Sequence, residues 1–262
     1  MVELRLLTLN LTGTGCGWFE GRRAACVHGI RALAPDVVCL QEVSSRTTPY
    51  PYDQVQDLSE RLDLPYSCFA PYGNPDEVVS QSWGGVAILA RWPFWRTETL
   101  QLPPGPTPPD ARVGLLAAIA HSEGPVHVLA THLSWPVPDH DTRDRQVAHA
   151  LSRVRDLGWD RPGRRFVFAG DLNAVESEAA IARLREHLQD AYRVRHPDEP
   201  GLTWTHANPL VWYDSPDRRL DYLFVDTGSK VVGADVVLTD REIPVSDHYG
   251  LLATLRWSAG DP

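Results

Sequence analysis

The chain contains the stretch Arg165-Phe166-Val167-Phe168-Ala169-Gly170-Asp171-Leu172-Asn173-Ala174. Its first five residues are rich in β-forming side chains, and the run is short enough to be a buried strand. Two short polar side chains follow directly, where the strand reaches the edge of its sheet. Since residues two apart in a strand share a face, we expect Asp171 and Asn173 to point into a common cleft.

Four other strand-like runs adjoin polar residues in the same way. They are Asn10 after Leu4 to Leu9, Gln41-Glu42 after Val37 to Leu40, His132 after Val126 to Thr131, and Ser246-Asp247-His248 before Tyr249 to Leu255. Any one of them alone is an ordinary loop residue. Together the five places indicate a single metal-dependent phosphoester site, built from the ends of several strands.

Asn10 and Glu42 come from strand ends that the intervening helix would place side by side. An amide oxygen and a carboxylate suit a hard cation such as Mg²⁺, which prefers oxygen ligands. For each residue alone, the alternative is a capping asparagine and a solvated glutamate. We favour the metal because the other strand ends repeat the pattern.

Asp247 and His248 offer a carboxylate and an imidazole at adjacent positions. The carboxylate can reach a metal, while the imidazole can donate a proton or hold an oxyanion. Asp221 begins another apolar run and could orient His248. The alternative for Asp221 is a structural ion pair with Arg218 or Arg219.

The chain has 262 residues, enough to bury a substantial core, and no linker interrupts it. We therefore expect one domain over residues 1–262. The 25 basic and 34 acidic residues give a formal charge of −9, which disfavours strong nonspecific binding to a phosphate backbone. Neither of the common glycine-rich nucleotide-binding motifs is present.

No long apolar segment and no leader-like stretch opens the chain, so we expect a soluble, cytoplasmic protein. The four cysteines, Cys16, Cys26, Cys39 and Cys68, form no CxxC pair. They are interpreted as reduced thiols.

The hydrophobic pattern predicts a β-α-β opening, with a strand from Glu3 to Leu11 and a helix from about Glu20 to Leu33. A later helix is expected from Asp141 to Leu157, with Asp141 or Thr142 as its N-cap. Another is expected from about Ser177 to Leu188. Many strands neighbour each other in sequence, which favours mixed or antiparallel sheets in a layered α/β fold.

These segments resemble the ordered motifs of the endonuclease/exonuclease/phosphatase superfamily, the deoxyribonuclease I-like fold. The motifs are Leu7-Thr8-Leu9-Asn10, Leu40-Gln41-Glu42-Val43, Gly84 to Ala90, Thr131-His132-Leu133, Gly170 to Ala174, Arg219 to Phe224 and Ser246-Asp247-His248. The resemblance implies an α/β (α+β) class and a four-layered α/β sandwich, in which helices flank two packed mixed β-sheets. It also implies hydrolysis of phosphoester bonds with Mg²⁺ or Mn²⁺.

The resemblance further implies a role for each motif residue. Asn10, Glu42 and Asp247 would hold the metal. Asp171 would activate or orient the attacking water, and Asn173 would hold phosphoryl oxygens. The resemblance also implies that His248, paired with Asp221, acts as acid/base or stabiliser, that His132 is a second phosphate donor, and that Asp171 and His248 could exchange roles.

The substrate is less defined than the reaction. Negative charge and scarce lysine favour a small or lipid-like phosphorylated substrate, with DNA or RNA as the alternative and a noncatalytic scaffold as a third hypothesis. We expect no protein partner. The loop after His132 should form one wall of the cleft. There Trp135 and either Arg143 or Arg145 could contact substrate. The alternative is that the arginines are solvated at the first turn of the following helix.

An aromatic set could line a substrate pocket, or could simply pack in the core or at the rim. Its members are Trp135, Trp204, Trp212 and Tyr213.

Overall fold

The computed structural model describes residues 2–14, 17–45, 52–73, 84–105, 111–212 and 214–257. Its strands are β1 Val2–Asn10, β2 Val37–Val43, β3 Tyr66–Pro71, β4 Gly85–Ala90, β5 Phe94–Gln101, β6 Val113–Ile119, β7 Val126–His132, β8 Arg165–Asp171, β9 Gln189–Asp190, β10 Asp221–Val225, β11 Lys230–Val237 and β12 Gly250–Trp257. Its helices are α1 Arg23–Leu33, α2 Gln54–Leu62, α3 His140–Asp156, α4 Ala179–Arg185 and α5 Ala191–Arg195, and a π-helical turn, Trp18–Arg22, precedes α1.

The strands form two six-stranded mixed sheets. The first has the order β11-β12-β1-β2-β4-β3, and the second has the order β5-β6-β7-β8-β10-β9. Within each sheet one central pair is parallel, β1 with β2 and β7 with β8, while the other named pairs are antiparallel. The carboxyl ends of each parallel pair therefore lie side by side at one edge of the sheet.

Three apolar clusters hold the layers together. One contains side chains from both sheets, such as Leu4 and Val128, and fills the space between them. A second packs α3 and α4 on the outer face of the second sheet, and a third packs α1 and α2 on the outer face of the first. The expected four-layered sandwich with two mixed sheets is confirmed.

The sequence placed most elements correctly but misjudged several ends. Helix α3 begins at His140, so Asp141 and Thr142 lie inside it and the N-cap prediction is wrong. Asp139 occupies the cap position without a side-chain cap bond, since its carboxylate accepts from the Ser134 hydroxyl, 2.9 Å away. The predicted helix after β8 is shorter than expected, and the two-residue strand β9 and helix α5 were missed.

The cysteines Cys26, Cys39 and Cys68 are free, as expected, while Cys16 lies outside the described residues. Burial raises the pKa of all three thiols, which makes thiolate formation unfavourable. None of the helices in the described ranges is long and apolar enough to cross a bilayer.

Candidate active site

The site forms where the parallel pairs of the two sheets end. Asn10 is the last residue of β1. In the second sheet, His132 at the end of β7 is paired with Asp171 at the end of β8. Strand β10 runs antiparallel to β8 and places Asp221 opposite Asp171. Strand register alone therefore brings an imidazole and two carboxylates to one place.

Gly170 allows β8 to approach β7 closely at this end. Its φ is +144°, and a Cβ added there would lie 1.9 Å from the carbonyl oxygen of Thr131. Such a distance is far inside van der Waals contact, so a side chain at this position would push the strands apart. The glycine therefore positions the Asp171 carboxylate that follows it.

Asp171 is the centre of the cluster. Its Oδ2 accepts a hydrogen bond from Asn10 Nδ2 at 3.0 Å and lies 3.4 Å from His132 Nε2 and 3.7 Å from His248 Nε2. Burial, the largest effect, raises the pKa of Asp171 to about 6; His248 opposes that rise and Asp221 adds to it. This carboxyl group can exchange a proton near neutral pH.

His248 is held by Asp221. Its Nδ1 lies 2.8 Å from Asp221 Oδ2, which leaves Nε2 facing Asp171. Burial alone would lower the pKa of His248, but the carboxylates of Asp221 and Asp171 outweigh it and hold that pKa well above its ordinary value. The imidazole is therefore positively charged at neutral pH.

His132, in contrast to His248, is neutral. Arg112 Nη1 lies 3.2 Å from its Nδ1, and because a guanidinium can only donate, Nδ1 accepts. The neutral ring then carries its proton on Nε2, the atom that faces Asp171. Burial, Arg112 and His248 hold the pKa of His132 well below its ordinary value, which agrees with this tautomer.

Tyr72 supports the same arrangement from the other side. Its hydroxyl lies 2.7 Å from His132 Nδ1 and accepts a hydrogen bond from the backbone N–H of Glu42 at 3.1 Å. The Arg112 guanidinium lies 5.3 Å from the centre of the Tyr72 ring, a cation–π distance. Tyr72 thus links the ends of β2 and β7.

Glu42 turns into the cleft through an irregularity in β2. The register with β4 shifts between Gln41 and Val43, and Glu42 adopts a φ of +55°. A non-glycine residue in this region is strained, and such strain is often found at functional sites. The result is a carboxylate that is 39% exposed and lies 3.0 Å from Asn10 Nδ2.

Asn10 is a donor to both carboxylates. Its Nδ2 donates to Glu42 Oε1 and to Asp171 Oδ2, at 3.0 Å each, while its Oδ1 accepts from the backbone N–H of Thr12 at 2.9 Å. Asn10 thus joins the site residues of the two sheets. In this orientation its amide oxygen points away from the carboxylates.

Asp247 lies beside this group and reaches it through Thr12. The Thr12 hydroxyl donates to Asp247 Oδ1, and the same hydroxyl is 3.0 Å from the hydroxyl of Ser246. Asp247 therefore sits on the Asn10 side of the site, whereas His248 sits on the Asp221 side. The side chains of these adjacent residues therefore diverge.

Asn173 is placed differently from the prediction. It lies beyond the end of β8 with a φ of +48°, so it does not share a strand face with Asp171. Its backbone N–H donates to Asp171 Oδ1 at 2.9 Å, and its side-chain Nδ2 donates to the Leu133 carbonyl at 3.1 Å. The expectation of a shared strand face is wrong, although Asn173 does contact the central carboxylate.

Arg143 is not brought to the cluster. Its guanidinium is 1% exposed and pairs with Glu178 at 2.8 Å. It also donates to the carbonyls of Ser134, Pro136 and Val137. Because these partners and His140 occupy its N–H groups, Arg143 holds the loop after β7 in shape, and the expectation that it contacts a phosphate is wrong.

The aromatic residues of the predicted set differ in their exposure. Trp135 and Trp212 are 62% and 75% exposed, whereas Trp204 is 5% exposed and packs with Val211 and Leu220. Tyr213 lies outside the described residues. Among these aromatic residues, Trp204 has a direct link to the cluster, through a β-bridge to His248.

The sequence did not point to Tyr72 or Arg112. Neither adjoins one of the seven motif segments. Tyr72 follows β3 and Arg112 precedes β6, in different sheets, and both reach His132 Nδ1 through the packing of the two sheets. Arg112, just before a wholly buried strand, was the one available signal, since an arginine there is rarely left without a partner.

Comparison with known proteins places this geometry in a family. The model of the endonuclease/exonuclease/phosphatase family matches residues 16–248. A curated 5′-tyrosyl-DNA phosphodiesterase of Caenorhabditis elegans is 23% identical over 208 residues, a match that covers 77% of this chain and 51% of the relative. The chain thus spans about half the length of the curated relative that it matches.

Solved structures agree. An endonuclease/exonuclease/phosphatase from Beutenbergia cavernae superposes with a TM-score of 0.78 at 28% identity, over 98% of this chain and 72% of that one. Truncated TDP2 from Caenorhabditis elegans gives a TM-score of 0.77 at 22% identity and 97% coverage of both chains, which shows a shared fold. With a family match over most of its length, the chain belongs to the endonuclease/exonuclease/phosphatase family.

Proposed function

We propose that the protein is a divalent-metal-dependent phosphodiesterase. The observation that carries the proposal is the convergence on Asp171 of an amide and two imidazoles in different charge states. Phosphodiester hydrolysis needs an oriented water, charge stabilisation on the nonbridging oxygens and a stabilised leaving oxygen. The cluster offers a group for each need.

Asp171 is the proposed base. Burial raises its pKa to about 6, which keeps the carboxylate ionised at neutral pH yet basic enough to accept a proton from water. His248 is the proposed cation of the site. Its Nε2–H, held in place through Asp221, stabilises negative charge that develops on phosphoryl or leaving oxygens.

His132 is the proposed neutral donor. Its Nε2–H is fixed by the donor Arg112 on the opposite ring nitrogen, so it offers a hydrogen bond to a phosphoryl oxygen without changing its own charge. Asn173 would contribute an amide to the same oxygens. Its side-chain Nδ2 donates one N–H to the Leu133 carbonyl, and the second N–H of the amide is the proposed donor.

The proposed cation ligands are Glu42, Asp247 and the amide oxygen of Asn10. Their donor atoms are the hard oxygens that Mg²⁺ and Mn²⁺ prefer. Asn10 Nδ2 lies 3.0 Å from Glu42 Oε1 and 3.0 Å from Asp171 Oδ2, so a half-turn of this amide would present its oxygen to a cation beside Glu42. When bound there, the cation would neutralise charge on the phosphoryl group.

A second group of possible metal ligands is formed by two carboxylates and an imidazole. Asp171, Asp221 and His248 offer ligand atoms within 4.8 Å of one another. His248 Nδ1 lies 2.8 Å from Asp221 Oδ2, so these two atoms bind each other and are not free for a cation. We therefore assign this group to proton transfer and charge stabilisation.

The proposed substrate is a phosphodiester. The sequence favoured small or lipid-like molecules, but the matched curated relative is named for a DNA phosphodiesterase, so a DNA end is the second candidate. A lipid-like substrate has no support among the described features. Location in the cytoplasm stays a prediction.

The test is hydrolysis of bis-p-nitrophenyl phosphate with Mg²⁺ or Mn²⁺, and its loss on chelation. Asp171→Asn should abolish the activity, while Asp160→Asn, an exposed carboxylate in the turn before β8, should leave it unchanged. Substituting p-nitrophenyl phosphate tests monoesters, and a 5′-blocked oligonucleotide tests DNA ends. No turnover of any of these substrates with any divalent cation would refute the proposal.

A further inference from the structure

Arg218 lies beside the catalytic cluster, and the chain segment that contains Trp204 runs between Arg218 and His248. Trp204 forms a β-bridge with Arg218 on one side and with His248 on the other. The Arg218 N–H donates to the Trp204 carbonyl at 2.8 Å, and the Trp204 N–H donates back at 3.0 Å. Since neighbouring strands are about 4.8 Å apart, the backbone of Arg218 is about 10 Å from that of His248.

The guanidinium of Arg218 is fixed by stacking. Its Cζ lies 4.9 Å from the centre of the Trp204 indole, a cation–π arrangement. The indole itself is 5% exposed and is wedged against Val211 and Leu220, so it cannot turn away. The cation is therefore pre-positioned, and Trp204 serves as its platform.

Most donors of Arg218 have no partner among the described residues. Its one side-chain hydrogen bond is to the Ser215 hydroxyl, at 3.3 Å, and its Nε is buried without any acceptor. Buried Arg143 and Arg219, by contrast, are each paired with carboxylates. Because buried polar groups are normally hydrogen-bonded, the unused donors of this half-buried guanidinium indicate that a ligand supplies the acceptor.

The electrostatic environment places this cation on the substrate side. Burial lowers the pKa of Arg218, while the Asp171 carboxylate opposes that effect. Arg143 lowers the same pKa and Glu178 raises it, and these two side chains are paired with each other. Among the charged groups that act on Arg218, the Asp171 carboxylate has the largest effect.

We propose that Arg218 binds a second phosphate of the substrate, adjacent to the scissile phosphodiester, and so selects nucleotide substrates that carry one. A guanidinium presents a planar fork of donors that matches phosphate oxygens, and a stacked guanidinium keeps that fork oriented. The proposal rests on the proposed phosphodiesterase function and narrows its substrate class. Arg218 is a specificity-determining residue, outside the group that reacts.

The experiment compares two chromogenic substrates that differ in one phosphate. They are thymidine 5′-(p-nitrophenyl phosphate) and the same compound with a 3′-phosphate. The wild type should prefer the 3′-phosphorylated compound by about tenfold or more in kcat/KM, chiefly through KM, as expected for a charge-assisted hydrogen bond. Arg218→Gln should remove the preference, and Arg218→Lys should retain part of it.

Two controls separate this effect from misfolding and from net charge. The kcat/KM for bis-p-nitrophenyl phosphate, which has a single phosphate, is measured for Arg218→Gln and for wild type, and dividing by it cancels any general loss of activity that the substitution causes. Arg164→Gln removes the same charge from an exposed arginine that precedes β8, at the end of the strand opposite Asp171, and should keep the preference. A wild type that shows no preference, or an Arg218→Gln variant that keeps it, overturns the inference.

A binding measurement makes the outcome independent of turnover. By calorimetry in the presence of chelator, thymidine 3′,5′-bisphosphate should bind wild type more tightly than thymidine 5′-monophosphate, and Arg218→Gln should equalise them. Selective binding without hydrolysis would support the subsite and refute the enzyme. Hydrolysis without selective binding would support the enzyme and refute the subsite.

Discussion

Two histidines beside one carboxylate carry different charges because their far ring nitrogens face different partners. His248 Nδ1 faces the carboxylate of Asp221, whereas His132 Nδ1 faces the guanidinium of Arg112. A carboxylate favours the charged imidazole and a guanidinium favours the neutral one. The site thus obtains one cation and one neutral donor from the same residue type.

Asp221 and His248 are expected to act as one unit. His248→Ala should lower kcat/KM by about 10²- to 10³-fold, the usual cost of removing a group that stabilises negative charge in the transition state. Asp221→Asn should cost most of that, because the imidazole loses the carboxylate that charges and orients it. The double variant should be little worse than His248→Ala, since residues that act together are strongly non-additive.

The measurement is a double-mutant cycle on a chromogenic phosphodiester, with folding checked by thermal unfolding. Additive losses in kcat/KM would show that Asp221 is structural. The structural alternative was an ion pair of Asp221 with Arg218 or Arg219. Among the described residues, Arg219 instead pairs with Asp190 and Glu176 at 2.6 Å each, and the Arg218 side chain donates to the Ser215 hydroxyl.

Residues at strand ends were predictable from sequence because a strand fixes its neighbours by register. His132, Asp171 and Asp221 needed only correct strand assignment to meet. Asn173 and Arg143 were misplaced because they lie in loops, where a positive φ or a buried ion pair decides direction and no periodic pattern reports it.

Among the elements, β8 depends on Gly170 for its close approach to β7. Gly170→Ala should destabilise the fold by about 2 kcal/mol or more, since a Cβ would lie 1.9 Å from a backbone oxygen that cannot move freely. The kcat/KM of the protein that still folds should also fall, because the next residue is Asp171. Chemical denaturation and kcat/KM of the soluble fraction measure the two effects.

The matched substitution is Gly233→Ala in β11. There the nearest atom to an added Cβ is 3.8 Å away, an ordinary contact, so the change should be mild. Equal losses at Gly170 and Gly233 would mean that the approach of β7 and β8 has no special role.

The segment after β8 is clamped by a charge network that the sequence did not reveal. Glu176 accepts from Arg193 and Arg185 and pairs with Arg219. These arginines belong to α5, to α4 and to the approach to β10. The end of α4 was misjudged and β9 was missed. The last residues of these two elements, Arg185 and Asp190, form an ion pair that local propensity does not report.

This network should make stability depend on acid pH. Burial alone would raise the pKa of Glu176, but Arg193, Arg185 and Arg219 lower it from 4.5 to about 2. A carboxyl group with a depressed folded-state pKa stabilises the fold above its unfolded pKa and loses that contribution as the pH falls toward the folded value. The loss should therefore occur between about pH 4.5 and about pH 2.

The change in pKa corresponds to at most ~3 kcal/mol, and solvent screening of a side chain that is 29% exposed reduces this to ~2 kcal/mol. Glu176→Gln should lower the free energy of unfolding by that amount at about pH 7 and by about half as much at about pH 3. Urea denaturation at both values measures it, with exposed Glu186→Gln as the control. A pH-independent difference would contradict the network's role.

At the scale of the whole molecule, the architecture brings each sheet's parallel pair to one edge and then joins the two edges through Asn10. The fold class was predictable because hydrophobic runs and polar strand ends occur in the family's order. The cross-sheet contacts were not, since Tyr72 and Arg112 meet His132 only through packing of the layers.

Net charge governs how this molecule meets a charged substrate. At −9, the protein as a whole repels a nucleic-acid strand, so affinity must come from local contacts. Binding of a single strand weakens with salt by a slope of about −0.7 per phosphate neutralised. If His248 meets one phosphate and Arg218 meets a second, a plot of log affinity against log salt for a short single-stranded DNA should have a slope of about −1.4.

Fluorescence anisotropy with a labelled oligonucleotide in chelator gives this slope directly. Arg218→Gln should reduce the slope to about −0.7, because only the contact at His248 would remain. Arg164→Gln, at the exposed residue before β8, should leave the slope unchanged. A slope of about −4 or steeper in the wild type would mean that several arginines track the backbone, as in a dedicated nucleic-acid-binding protein. That result would contradict recognition through one pre-positioned guanidinium and would place the substrate among longer strands.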